Sequence, residues 1–156
     1  MRVTVLWVGK TRSPFVAEGI AYYARLLGRY APLTVRAVRE SPVGPKADPA
    51  RVLAEEGERL LAACSAGARL VALDRGGRAL DSEAFAAYIG RQRAEGVKEL
   101  VFAVGGPLGL ADAVLKKAAL VLSLSPLTLT HEMARLVLLE QLYRAETILR
   151  GEPYHK

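Results

Sequence analysis

Residues 100–109 read LVFAVGGPLG and residues 120–131 read LVLSLSPLTLTH, and these two stretches decide the fold. Each stretch begins with an apolar run of the length of a buried strand and passes directly into a loop of unusual composition. Parallel strands of an α/β sheet end at the same edge, and ligands bind in the crevice outside their carboxyl ends. We therefore expect both loops to border one ligand pocket.

The side chains of the two loops indicate the kind of ligand. Glycines such as Gly105 allow the backbone to approach another group closely. Ser125 and Thr128 contribute hydroxyls, whereas Lys, Asp, Glu and Cys are absent from both loops. This composition predicts a pocket for a flat, partly apolar molecule that is held largely by backbone groups. A tight strand-to-helix turn is the alternative for residues 105–109, which have neither dinucleotide-binding spacing nor a P-loop ending.

Apolar strand patterns alternate with helix patterns along the whole chain. Ser13-Pro14 and Asp48-Pro49 each place a capping residue before a proline, the combination that starts helices. The expected fold is one α/β domain over residues 1–156, with a mainly parallel sheet and helices on both faces. The predicted strands are 3–8, 33–38, 70–73, 100–104 and 120–124, with the third ending in residues 74–78. The predicted helices are 14–27, 49–64, 82–94, 110–118 and 131–149.

Composition and charge exclude several classes of protein. No apolar run approaches the roughly 18–20 residues of a membrane span, and the start lacks the pattern of a secretory signal, so we expect a cytoplasmic protein. The single cysteine, Cys64, excludes an internal disulfide and a cysteine-based zinc site, and we expect no metal. The net charge of +6 favours an acidic partner such as nucleic acid. Base composition or heat adaptation would produce a similar basic excess.

The last predicted helix contains four consecutive apolar residues, Leu136 to Leu139. At about 100° per residue they cover roughly 300° of the helix circumference, so one sheet face cannot bury them all. We expect the second face to pack against another copy of the chain in a homodimer. Enclosure of the helix within one subunit is the alternative.

Short segments spread over essentially the whole chain also match one protein family in order. The matching segments are residues 8–10, 55–57, 71–74, 104–107, 122–125, 127–128, 131, 140–145 and 151–156. On these segments the chain resembles the RlmH family of SPOUT methyltransferases, which are small rRNA-modifying enzymes. Thr130 stands where that family usually has proline, and Leu108 stands where a polar residue is common.

The resemblance implies a fold, a cofactor and a substrate. It implies a deep C-terminal trefoil knot, one of the rare exceptions to unknotted topology. It also implies a homodimer, S-adenosylmethionine as methyl donor, and N3 of a pseudouridine in helix 69 of 23S rRNA as acceptor, within the ribosome. The family's cofactor positions fall on Leu73, Gly105, Leu124, Ser125, Pro126, Leu127, Thr128 and Leu129.

Methyl transfer from a sulfonium is an in-line displacement, so alignment of donor and acceptor supplies much of the acceleration. The acceptor nitrogen must lose a proton, which calls for a general base. His155 is the first candidate, because a tail histidine would be able to fold over the neighbouring subunit's pocket once RNA docks. Water is the alternative acceptor of the proton.

Arg144 and Tyr154 are expected to hold a phosphate or stack a base. The tail that carries Tyr154 and His155 is expected to be disordered in a free monomer. Two rival functions are less favoured. The intact set of loops disfavours a catalytically silent RNA- or ribosome-binding module of the same fold, and the glycine spacing disfavours a small nucleotide-dependent oxidoreductase of flavodoxin-like shape.

Overall fold

A computed structural model describes all 156 residues as a five-stranded sheet with five helices. The strands are β1 (Arg2–Val8), β2 (Leu33–Val38), β3 (Arg69–Ala79), β4 (Glu99–Val104) and β5 (Leu120–Ser123). The helices are α1 (Pro14–Leu27), α2 (Pro49–Ala63), α3 (Ser82–Ala94), α4 (Asp112–Lys117) and α5 (His131–Leu149).

All strand pairs are parallel, and the strand order is β2-β1-β4-β3-β5. The central strands bury both of their faces, which explains why β1 and β4 are nearly continuous apolar runs. On β1, Val3, Val5 and Trp7 pack with α1, α3 and α5, whereas Leu6 and Val8 pack with α2 and α4. The predicted α/β class with helices on both faces is confirmed. The C-terminal knot stays a prediction.

The third strand does not end at Leu73 as the sequence predicts. β3 continues to Ala79, and both Leu73 and Arg78 pair with Leu122 of β5, so residues 74–77 leave the ladder as a bulge. A Cβ atom on Gly77 would lie 2.6 Å from the carbonyl oxygen of Val121, so only glycine allows the two strands to meet here. Asp74, Gly76 and Gly77 are typical turn residues, which is why the local sequence indicates a strand end. Residues 74–77 are called the β3 bulge below.

α1 begins at the predicted residue, but the group that caps it is not the predicted one. Asp48 caps α2 as expected, with its carboxylate accepting from the amide of Ala50. Ser13 occupies the N-cap position of α1, but its side chain makes no capping hydrogen bond. Instead Glu132 Oε1 accepts hydrogen bonds from the amides of Arg12 and Ser13, at 2.9 and 3.0 Å. A carboxylate from α5 therefore caps α1.

The position of α5 explains its apolar run within one subunit. Leu138 and Leu139 are fully buried in the core, and Leu136 packs against Gly19 of α1. The predicted burial on more than one side is therefore correct, but α1 and the core supply much of it. The run does not by itself require a second copy of the chain.

No helix of the structure combines the length and apolar character needed to cross a membrane.

Candidate active site

Three loops enclose a cavity of about 540 Å³ at the carboxyl edge of the sheet. The β3 bulge, the β4–α4 loop and the β5–α5 loop meet there because β3 lies between β4 and β5. The first turns of α5 close the remaining side through His131 and Ala134. The predicted convergence of the two loops on one pocket is correct. A cavity of this size falls within the range of ~300–1,000 Å³ that small-molecule sites occupy.

The cavity brings together most of the predicted cofactor residues. Its lining includes seven of the eight positions, namely Leu73, Gly105, Leu124, Ser125, Leu127, Thr128 and Leu129. Pro126 is exposed and lies outside the lining. Ser125 Oγ accepts from the amide of Leu127 at 2.9 Å, so this hydroxyl shapes its own loop and is partly engaged.

Gly105 is required for a different reason from the one the sequence suggests. A Cβ atom on Gly105 would lie 2.3 Å from the carbonyl oxygen of Gly109 in the same loop. Gly109 has a φ of +85°, in the region that favours glycine, and its amide donates to the carbonyl of Gly106 at 3.0 Å. The glycines let the β4–α4 loop fold tightly on itself, and this fold presents the loop to the cavity.

Two charged side chains of the lining, Asp74 and Arg75, are not among the site residues predicted from the sequence. Asp74 Oδ2 accepts from the amide of Gly76 at 2.8 Å, and Arg75 Nη1 donates to Thr128 Oγ1 at 2.9 Å. The arginine thereby links the β3 bulge to the β5–α5 loop. Five consecutive non-apolar residues, 74–78, follow the buried part of the strand, and this run was the sequence signal for them. The rest of the lining consists of apolar, glycine and hydroxyl groups with one histidine, which suits an uncharged aromatic part of a ligand.

The histidine of the lining, His131, stands at the start of α5. Burial, followed by the positive charge of Arg135, lowers the pKa of His131, so the imidazole is neutral near pH 7. Thr130, in place of the usual proline, accepts from the amide of Met133 at 3.2 Å and caps the helix. With Thr130 in place of proline, α5 therefore still begins at His131, as predicted.

A buried arginine fixes this end of α5 to the sheet. Arg135 is fully buried and donates to the carbonyl of Val8 at 2.5 Å and to Thr11 Oγ1 at 3.0 Å, with its guanidinium 5.0 Å from the Trp7 ring. Burial lowers its pKa. Together with Glu132, Arg135 holds the α5 wall of the cavity against the end of β1.

The three predicted catalytic residues lie together, but away from this cavity. Arg144 Nη2 donates to Glu140 Oε1 at 2.5 Å, and the Tyr154 hydroxyl donates to the same oxygen at 3.0 Å. The Arg144 guanidinium lies 4.7 Å from the centre of the Tyr154 ring and 3.3 Å from His155 Nδ1. Ala134 of the cavity and Arg144 are ten residues apart on α5, about 15 Å along the helix axis. We call Arg144, Tyr154 and His155 the tail cluster.

The tail is ordered, in contrast to the prediction of disorder in a monomer. The Tyr154 ring packs against Tyr143 at 4.7 Å between centroids, and Glu152 Oε2 accepts from the Tyr30 hydroxyl at 2.6 Å. Burial, together with hydrogen bonding that includes Glu140, raises the pKa of Tyr154. The aromatic contact with Tyr143 and the hydrogen bond of Glu152 hold the tail in place, and neither interaction can be recognised from the sequence alone.

The contacts of His155 bear on its predicted role as a base. Arginine only donates hydrogen bonds, so Nδ1 of His155 accepts from Arg144 and the neutral ring carries its proton on Nε2. Nε2 lies 3.9 Å from Glu83 Oε1. The lone pair that a base needs is thus engaged by Arg144, and proton abstraction by His155 requires it to leave this contact.

Comparison with known proteins places the chain in a family. Residues 1–155 match the family model described as "Predicted SPOUT methyltransferase". The chain is 46% identical to ribosomal RNA large subunit methyltransferase H of Trichlorobacter lovleyi, and 48% identical to the protein of the same name from Pelobacter propionicus. Both matches extend over 155 residues and 99% of each chain.

The fold is also similar to that of a solved structure, a probable methyltransferase from Bordetella pertussis. The TM-score is 0.56 at 17% identity, over 92% of this chain and 95% of that chain. The full-length matches confirm the predicted family. The chain belongs to the SPOUT methyltransferases, in the family of ribosomal RNA large subunit methyltransferase H.

Proposed function

We propose that this protein transfers a methyl group from S-adenosylmethionine to N3 of a pseudouridine in helix 69 of 23S rRNA, in the ribosome and hence in the cytoplasm. The full-length identity to relatives named as large-subunit rRNA methyltransferases carries the proposal. The pseudouridine and its N3 atom come from the family resemblance. The net charge of +6 suits a polyanionic substrate.

The cavity fits the cofactor by its chemistry. Leu73, Leu124 and Leu129 offer apolar walls for an adenine ring, and the two loops offer backbone donors and acceptors for its edges. When bound, S-adenosylmethionine supplies an electrophilic methyl group on a sulfonium. The role of the cavity is then to hold that group in line with the acceptor nitrogen and to exclude water from it. A neutral His131 adds no positive charge beside a cationic ligand.

The active form proposed here is a homodimer in which the tail cluster of one copy completes the pocket of the other. The separation of about 15 Å along α5 keeps Arg144 away from the cavity of its own chain. Several exposed apolar side chains would be buried in an interface between two copies of the chain. Phe15 and Tyr22 lie two turns apart on one side of α1, 66% and 51% exposed, and Leu127 in the cavity loop is 75% exposed.

In such a dimer the tail cluster acts on the RNA. Arg144 would hold a phosphate and Tyr154 would stack a base, which requires Arg144 to leave its position over the Tyr154 ring. Docking of RNA would move His155 out of its contact with Arg144 and free Nδ1 to take the N3 proton. If His155 stays in that contact, water takes the proton.

The test is methylation of ribosomes that lack this modification. Ribosomes from a strain without its own enzyme are incubated with the purified protein and S-adenosylmethionine, and the rRNA is mapped by mass spectrometry. We expect one new methyl group on a pseudouridine of helix 69. A protein that binds S-adenosylmethionine but methylates neither ribosomes nor free rRNA would overturn the proposed activity in favour of the silent binding module.

A further inference from the structure

The β3 bulge places two charged side chains in the lining of the cavity. Leu73 and Arg78 both pair with Leu122, so residues 74–77 are extra residues that the sheet does not need. Bulges beside active sites commonly redirect a side chain. Here the redirected residues are Asp74 and Arg75, and both line the cavity.

The bulge is held in one conformation by contacts on each of its residues. Asp74 Oδ2 accepts from the amide of Gly76, and Gly77 is pressed against the backbone of Val121, where no side chain fits. Arg75 Nη1 donates to Oγ1 of Thr128, another residue of the cavity lining. Both side chains therefore have contacts within the protein that favour their positions at the cavity, which lowers the cost of ordering them when a ligand binds.

The two side chains supply one negative and one positive charge, and no other Asp, Glu, Lys or Arg lines the cavity. The adenosine part of S-adenosylmethionine is uncharged. Its amino-acid end carries an ammonium and a carboxylate, the pair of charges that complements an aspartate and an arginine. Each of the two protein groups has binding capacity left. Oδ1 of Asp74 has no hydrogen bond within the protein, and Arg75 uses one of its five donors.

We propose that the β3 bulge recognises the amino-acid end of the cofactor, with the Asp74 carboxylate binding the ammonium and the Arg75 guanidinium binding the carboxylate. This assignment rests on the proposed cofactor and deepens it. It makes Asp74 and Arg75 determinants of cofactor specificity. In this assignment the β3 bulge binds the amino-acid end of the cofactor, whereas the β4–α4 and β5–α5 loops bind the adenine.

Titration calorimetry with two ligands tests the proposal. S-adenosylhomocysteine has the amino-acid end and 5′-methylthioadenosine lacks it, while both share the adenosine and a neutral sulfur. The wild-type protein should prefer S-adenosylhomocysteine. Asp74→Asn keeps an oxygen for the Gly76 amide and removes the charge. It should weaken S-adenosylhomocysteine about tenfold and leave 5′-methylthioadenosine unchanged.

Arg75→Gln should weaken S-adenosylhomocysteine by a smaller factor, about threefold, because Arg75 is exposed to solvent. Arg78→Gln is the matched control. Arg78 also lies on β3 and is exposed, but outside the lining, and its replacement should change neither affinity.

Equal losses for both ligands in Asp74→Asn would overturn the proposal, because they would show that the residue only shapes the bulge. Unchanged affinity for S-adenosylhomocysteine in both variants would overturn it too. A wild-type protein that binds neither ligand would overturn the proposed cofactor itself. This outcome differs from a wild-type protein that binds S-adenosylhomocysteine and variants that lose no preference for it over 5′-methylthioadenosine, which overturns only the role of the bulge. A wild-type protein that binds the two ligands equally also contradicts the proposal without the need for any variant.

Discussion

A Cβ atom on Gly105 would lie 2.3 Å from the carbonyl oxygen of Gly109. The β4–α4 loop thus packs backbone against backbone, and a side chain at position 105 has nowhere to go. This contact is internal to the loop, so it constrains Gly105 whether or not a cofactor is bound.

We expect Gly105→Ala to abolish binding of S-adenosylmethionine in titration calorimetry and to lower the free energy of unfolding by about 1–3 kcal/mol, the usual cost of overpacking. Gly44→Ala is the control, because a Cβ atom on Gly44 meets nothing within 4 Å. A Gly105→Ala protein that binds the cofactor normally would remove this loop from the site.

The dimer prediction concerns α1. The wild-type protein should sediment as a dimer at micromolar concentration, and the double variant Phe15→Glu, Tyr22→Glu should sediment as a folded monomer, because charges replace exposed apolar groups. The exposed residues of α1 are better probes than the apolar run of α5, because a charge at the fully buried Leu139 would disrupt the core. A single monomer peak for the wild-type protein would contradict the homodimer.

The prediction for the tail separates binding from catalysis. Deleting residues 153–156 should leave the affinity for S-adenosylmethionine nearly intact, because the cavity is built from residues 73–134. Methylation of ribosomes should fall about a hundredfold or more, since only interactions with RNA or the transition state are lost. Full activity of the shortened protein would show that Tyr154 and His155 take no part in the reaction.

A pH prediction follows from the lowered pKa of His131. In the unfolded chain this histidine titrates near its usual 6.5, and in the folded protein it stays neutral to lower pH. Below pH 6.5 the unfolded state therefore binds more protons, and the free energy of unfolding decreases as the pH falls. Urea denaturation at pH 8 and pH 5.5, at one protein concentration, should show a smaller decrease for His131→Asn than for the wild type. Equal decreases would contradict the neutral His131.

Local signals in the sequence predict the elements of this fold well. Asp48-Pro49 and Asp81 are capping signals that mark helix starts, and the apolar runs of β1 and β4 mark strands buried on both faces. The convergence of the two loops also follows, because parallel strands end at one edge.

The features of the structure that the sequence does not predict depend on contacts between residues far apart in the chain. The β3 bulge requires the register of β3 against β5, and residues 74–78 alone indicate a turn. The capping of α1 by Glu132 joins residues about 120 positions apart. The order of the tail depends on the packing of Tyr154 on Tyr143, which only the folded helix brings together.

In the proposed dimer, the pocket of one copy and the tail cluster of the other together methylate rRNA. Two inactive variants, Gly105→Val and the protein without residues 153–156, are co-expressed with different tags, and the mixed dimer is purified and assayed on unmethylated ribosomes. The mixed dimer has one intact pocket facing one intact tail, so we expect about half of the wild-type activity per dimer, while each variant alone is inactive. A mixed dimer as inactive as its parents would contradict the shared active site.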